Sequence, residues 1–169
     1  RLNADASVDP SFGSGGGPVG EVLTVVALHD GRIVVGGGFY LSSAGGGFKS
    51  NLLRLESNGT LDLAFPAAAS SPNAPVRSVV NSFGGKLIVG GDFTNVGSVS
   101  RARIARLNPD GSVDTSFDPG SGLTGYAPRV NALAVTADDK VLVGGFFSEA
   151  GGATRANLAR LTATGALDS

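Results

Sequence analysis

The stretch Arg106-Leu107-Asn108-Pro109-Asp110-Gly111-Ser112-Val113-Asp114-Thr115-Ser116-Phe117 decides the fold, because the chain writes it more than once. Arg1-Leu2-Asn3-Ala4-Asp5-Ala6-Ser7-Val8-Asp9-Pro10-Ser11-Phe12 is one copy, and Arg54-Leu55-Glu56-Ser57-Asn58-Gly59-Thr60-Leu61-Asp62-Leu63-Ala64-Phe65 is another. A fourth copy starts at Arg160-Leu161 and reaches Asp168-Ser169. Two more elements recur between these copies. One is Ile33 to Phe39, Leu87 to Phe93 and Val141 to Phe147; the other is Val22 to Leu28, Val76 to Ser82 and Val130 to Thr136. The chain therefore reads as a single array of three full repeats of about 53 residues (1–53, 54–105 and 106–159) plus a truncated fourth (160–169).

Each repeat reads as strands. The runs from Val22, Val76 and Val130 are β-branched and apolar. Asp30-Gly31, Gly84-Gly85 and Asp138-Asp139 then precede the second runs. Such dipeptides predict two-residue type I′ hairpin turns, whose twist suits the flanking strands. A second hairpin has one arm at Asn51 to Leu55, Arg103 to Leu107 and Asn157 to Leu161, and its other, short arm at Ser7 to Asp9, Thr60 to Asp62 and Ser112 to Asp114. No long 3.6-period stretch with caps occurs, so helix content is expected to be low.

Four short antiparallel strands in about 50 residues predict an all-β fold of β-propeller-like blades. A β-solenoid is the runner-up; its periods are usually shorter. The Gly-Gly after each apolar run suits close approach between blades. The apolar runs should be inner strands, buried on both faces by neighbouring blades. The combination of the Arg106 to Phe117 stretch with Val143-Gly144-Gly145-Phe146-Phe147 and Arg103-Ile104-Ala105-Arg106-Leu107 resembles the delta-60 repeat, a bacterial β-propeller-type repeat of unassigned function. The resemblance implies export and a surface or extracellular setting, and it implies no reaction. Repeat one departs from the pattern, with Ala6 at the turn glycine and two extra residues between Val35 and Arg54.

Composition narrows the function classes. Among 169 residues the chain has 27 Gly, one His, no Cys, no Met and no Trp, with a formal net charge of -1. Thiolate zinc sites, disulfides and a cysteine nucleophile are excluded. A basic field for nucleic acid is absent, and no apolar run is long enough for a transmembrane helix. The chain opens mid-pattern at Arg1 without a visible signal peptide, and is expected to be a piece of something longer.

No residue is assigned as catalytic, cofactor-binding or metal-ligating, and the chain is read as non-enzymatic. His29 shares its slot with Phe83 and Ala137, which suits a strand-end filler. Gly15-Gly16-Gly17-Pro18-Val19-Gly20 matches a dinucleotide-loop pattern in letters but precedes a strand instead of a helix. Asn108, Asp110, Ser112 and Asp114 alternate like a calcium loop, but Thr162, Thr164 and Ala166 take the first three places in the last copy. Asp9, Asp62, Asp114 and Asp168 recur with Arg1, Arg54, Arg106 and Arg160; recurrence argues for folding, each Asp capping a turn or pairing with an Arg. Tyr40 and Tyr126 do not recur and suit surface contact, and Asn58-Gly59-Thr60 is a glycosylation sequon.

The expected function is a structural or adhesive repeat protein of a bacterial surface or extracellular assembly. Propellers close with about 4–8 blades, so three repeats leave end faces suited to self-association into a ring or fibre, or to neighbouring repeats of a longer chain. The alternative is a discrete propeller that binds a glycan or protein through its variable loops, Phe12 to Gly20, Leu41 to Lys49, Phe65 to Val76 and Phe117 to Arg129.

Overall fold

A computed structural model of the chain describes residues 1–13, 17–42, 48–66 and 70–169. In chain order the strands are β1 (Val19–Ala27), β2 (Ile33–Ser42), β3 (Phe48–Leu55), β4 (Val76–Asn81), β5 (Leu87–Gly91), β6 (Asn95–Val96), β7 (Val99–Ser100), β8 (Ile104–Leu107), β9 (Leu123–Thr124), β10 (Arg129–Val135), β11 (Val141–Phe146), β12 (Glu149–Ala150), β13 (Ala153–Thr154) and β14 (Leu158–Leu161). Among the described residues there is no α-helix, and Phe83–Gly85 forms a single tight turn. The all-β reading holds.

Three antiparallel sheets, β1-β2-β3, β4-β5-β8 and β10-β11-β14, are the repeating bodies. The expected fourth strand is reduced to one bridge per sheet, Leu55 to Leu61, Leu107 to Val113 and Leu161 to Leu167. The arm ends at Asp62 and Asp114 because each caps a turn: its Oδ1 accepts from the N–H two residues on, and its carbonyl from the Phe65 or Phe117 N–H. The sheets are also out of phase with repeats counted from the arginines: residues 160–169 finish the third sheet, whereas residues 1–12 form a separate hairpin bridged at Leu2 and Val8.

The turns depart from expectation for a geometric reason. In the first hairpin Leu28 N–H donates to Arg32 O, and Gly31 N–H donates to Leu28 O. Only one residue of the dipeptide, Gly31 (φ 84°), is left-handed. This is a type I turn closed by one left-handed residue, a three-residue loop. The same bonds recur around Gly59, Gly111, Gly165, Asp139 and Ala6. Gly84 and Gly85, at φ 69° and 71°, supply the one pair of the expected type I′ form.

Cores form between consecutive sheets. Val34 and Leu52 of the first sheet pack with Val76, Val79 and Val89 of the second. On its other face the second sheet presents Ile88 and Ile104 to Val130, Val141 and Val143 of the third. The double burial expected for the inner runs holds for β5, buried throughout, but not for β11, where Leu142 is 38% exposed. The glycine pairs do permit close approach. A Cβ on Gly36 would lie 2.8 Å from Val76, and one on Gly90 2.5 Å from Val130, each in the next sheet. The β2–β3 connection at 43–47, where the two extra residues of repeat one fall, lies outside the described residues.

Candidate functional site

The recurrent Arg, Asp and Phe build the joints between sheets. Arg54 Nε donates to Asp62 Oδ2 at 2.8 Å across the outer hairpin, and Arg106 Nε to Asp114 Oδ2 at 2.7 Å. The guanidinium then covers the corner phenylalanine, 4.3 Å from the Phe65 ring centre and 5.0 Å from that of Phe117. A further N–H reaches the hairpin turn of the next repeat: Arg54 Nη1 donates to Pro109 O, and Arg106 Nη1 to Ala163 O. The same device holds the N-terminal hairpin, where Arg1 bonds Asp9 and Ser57 O and covers Phe12. One motif thus ties its own hairpin and grips the next repeat. This bears out the structural role expected of these residues; the reach into the next repeat is not visible in the sequence.

A second cation converges on three of the four aspartates. Lys86 Nζ is 2.7 Å from Asp114, Lys140 Nζ is 3.2 Å from Asp168, and Arg32 Nη1 is 3.9 Å from Asp62. Burial alone would raise the Asp114 carboxyl. Hydrogen bonds from Lys86, Ser116 and Arg106 outweigh it and hold the group well below the usual carboxylate range. Asp62 is lowered in the same way, burial being overcome by Arg54 and the Ala64 N–H. On the exposed hairpin, Ser11 and then Arg1 pull Asp9 down to about 2. Carboxylates so held are ionised and occupied, which suits anchors better than general acids.

The other singled-out residues do not converge. Asp110 Oδ1 accepts from Ser112 N–H and Oγ, Asn108 Nδ2 donates to Ser112 Oγ, and Asp114 faces Arg106. The calcium-like oxygens are therefore engaged within the turn. Asn58 Oδ1 accepts from Thr60 N–H and Oγ1. Tyr40 stacks on Phe48 with ring centres 6.2 Å apart, and Tyr126 stands 90% exposed. Residues 14–16 of the glycine stretch lie outside the described residues, and Val19 opens a strand as expected. Among the described residues no three His, Asp or Glu side chains gather as a metal set, and no helix is long and apolar enough to cross a membrane.

What the sequence did not reveal is a cleft of about 680 Å³ at the hairpin end of the sheets. It is lined by Leu28, His29 and Arg32 from the first repeat, Asn81 and Phe83 from the second, and Val135 and Ala137 from the third, among others. The slot shared by His29, Phe83 and Ala137 thus converges on one cavity. Phe83 is 60% exposed there. The signal was present in the turn slot that varies while its neighbours repeat. The variable loops, by contrast, precede β1, β4 and β10 or follow β2, at the strand ends away from the first hairpins, and three of the four contain residues outside the described set.

The trailing face of the third sheet is the other open feature. Leu142 and Leu158 correspond to Val34 and Leu52 and to Ile88 and Ile104. Those four are fully buried, whereas Leu142 is 38% and Leu158 67% exposed. On the leading side, Val22 and Val25 are 44% and 61% exposed, while their counterparts Val76 and Val79 are buried.

The family comparison also finds a unit that repeats along the chain. The model of a domain of unknown function (DUF5122) beta-propeller matches residues 29–65, 85–117 and 136–169, more than half of the chain. The chain belongs to this beta-propeller family. Its first two segments end on Phe65 and Phe117, so the DUF5122 unit runs from the first hairpin turn to the corner phenylalanine. No curated protein and no solved structure matches the chain. The family is one of unknown function, so membership supplies the architecture and no reaction.

Proposed function

We propose that this DUF5122 chain is a non-enzymatic structural or adhesive repeat protein of an extracellular or bacterial surface assembly, built on a repeat of the delta-60 kind, and that it self-associates through its end sheets. The observation that carries the reading is the exposure of Leu158, whose counterparts Leu52 and Ile104 are fully buried by the next sheet. Exposed, contiguous apolar surface favours association. The face is equivalent by repeat position to those at two interfaces already present in the chain, and its complement, Val22 with Val25, is on the leading sheet of a second copy. Such a contact is head-to-tail, so it gives a ring if the rotation closes and a fibre if it does not.

The second copy's hairpin 1–12 would occupy the place that residues 160–168 of the first copy already fill. The N-terminal hairpin is the weaker holder: Arg1 and Arg160 are about equally exposed, but among the described residues hairpin 1–12 pairs with no sheet, whereas Arg160 and Leu161 are part of β14. It yields, and Arg160 of the first copy takes the Ser57 carbonyl of the second. Light scattering and negative-stain imaging test this. Wild type should form rings or fibres and Leu158→Lys should stay monomeric; a monomeric wild type at all concentrations rejects the reading.

The cleft lined by Phe83 favours a second reading, a discrete propeller module that binds a glycan or protein ligand. Its volume lies in the range of small-molecule sites. Its charged side chains are compensated, Arg32 by Asp30 at 2.5 Å and Arg54 by Asp62, which suits a neutral ligand. Amide shifts of Phe83, His29 and Asn81 on titration with neutral disaccharides, lost in Phe83→Ala, would support it.

A further inference from the structure

Four charged residues converge where the second sheet meets the third, and none follows the repeat. Arg77 stands where the other repeats have Leu23 and Asn131; Asp92 where they have Gly38 and Phe146. Arg103 replaces Asn51 and Asn157, and Arg129 replaces Glu21 and Pro75. A residue that recurs in every repeat is explained by the scaffold. Residues that occur once and meet in space are not.

They line a hollow of about 280 Å³ together with Ala127 and Pro128. Arg77 spends its charge on Asp92 in a two-pronged pair, both N–H···O distances being 2.8 Å. Arg103 and Arg129 have no carboxylate partner among the described residues. Arg103 Nη1 donates to the Asp92 carbonyl, and Arg129 lies over the Phe146 ring at 5.1 Å. The Arg103 Nε is buried and makes no hydrogen bond. A buried donor left unpaired costs about 1–3 kcal/mol. Ala127, also in the lining, holds left-handed backbone at φ 47° without being glycine. Such strain tends to collect at binding sites.

We infer that this hollow binds a small oxyanion, a sulfate, phosphate or carboxylate group seated between the guanidinium groups of Arg103 and Arg129. Arginine suits the task because its planar donors match paired oxygens. Asp92 braces Arg77 and, through its carbonyl, Arg103, so the site keeps two uncompensated positive charges for one anion. This site is independent of the end faces and of the Phe83 cleft.

Thermal melting and arginine side-chain NMR of the 169-residue chain test the inference, with sodium sulfate, sodium phosphate and sodium glucuronate as probes against sodium chloride at matched ionic strength. The expected result is a saturable rise in Tm and selective shifts of the Arg103 and Arg129 Nε–H signals. Arg129→Gln should weaken the effect about tenfold or more, and Arg103→Gln similarly. Arg155→Gln, an exposed arginine elsewhere, should leave it unchanged. Tightest binding of glucuronate points to an acidic saccharide, and tightest binding of sulfate or phosphate to a free or esterified inorganic group. The inference is overturned if no oxyanion exceeds chloride, or if Arg129→Gln responds like wild type. The Arg129 variant carries the test should Arg103→Gln fail to fold.

Discussion

Arg106 and Asp114 face each other at 2.7 Å across the outer hairpin of the second sheet, both more than nine-tenths buried. The pair is repeated eight residues apart in every copy, and it grips the next repeat through Ala163. Removing one partner of a buried pair strands the other. Asp114→Asn is therefore expected to cost about 3 kcal/mol, read from the urea midpoint. A loss near zero would mean that Lys86 and Arg106 are satisfied without the carboxylate.

The same carboxylates set the acid limit. Asp62 and Asp114 lie below their unfolded value of about 3.9. A lowered folded-state value means that the ionised group stabilises the fold above that pH, and that this stability is lost as pH falls through the folded value. Unfolding free energy should be level above about pH 5 and should drop below about pH 4. Asp114→Asn should flatten that drop. An unchanged slope in urea titrations across this window would assign the acid sensitivity elsewhere.

Turn chemistry makes opposite predictions at equivalent positions. Gly111 is left-handed at φ 84°, and a Cβ there would lie 2.7 Å from the Pro66 Cα and 2.9 Å from the Phe65 ring. Ala6 occupies the same slot at φ 66° on an exposed hairpin. Gly111→Ala should destabilise by at least about 2 kcal/mol, from left-handed strain and overpacking. Ala6→Gly should be neutral or stabilising by up to about 1 kcal/mol. Melting temperatures of the two variants decide it; a shared sign would show that turn conformation is not what the slot selects.

Much of the fold was legible because a repeat writes each structural rule several times. Asp62, Asp114 and Asp168 stand beside Arg54, Arg106 and Arg160, and their shared spacing announced a cross-hairpin pair. Contacts between repeats were less legible. That Arg54 reaches Pro109, 55 residues on, depends on how sheets stack, and the local pattern is silent on it. The turn type was misread because Asp30-Gly31 satisfies two hairpin geometries, and only the bond from Gly31 to Leu28 separates them. The candidate sites were least legible. Phe83, Arg103 and Arg129 matter by convergence across repeats, whereas sequence reading favoured loops that differ in length.

Phe65 tests how much the corner contributes. It is fully buried, lies under Arg54 and meets Gly111 of the next repeat. Phe65→Ala should cost about 3–5 kcal/mol. Phe65→Leu keeps most of the apolar volume and loses the aromatic face, so it should cost roughly 1–2 kcal/mol. If both variants melt like wild type, the corner is not a joint and the sheets are held by their faces alone.

The first glycine of each Gly-Gly pair separates joints inside the chain from the proposed joint between chains. A Cβ on Gly90 would come within 2.5 Å of Val130, which the third sheet presses against it. On Gly144, its counterpart, the nearest neighbour is Ala132 at 3.7 Å, an ordinary contact. Gly90→Ala should therefore destabilise the isolated chain by about 1–3 kcal/mol, while Gly144→Ala should leave its melting unchanged. In an assembly, Val22 of a second copy would take the place that Val130 takes over Gly90. Gly144→Ala should then block association while sparing the fold. Denaturation read beside native mass separates the outcomes. A Gly144→Ala chain that still assembles would reject the sheet-to-sheet contact, and one that melts early would show that the face is already covered within the chain.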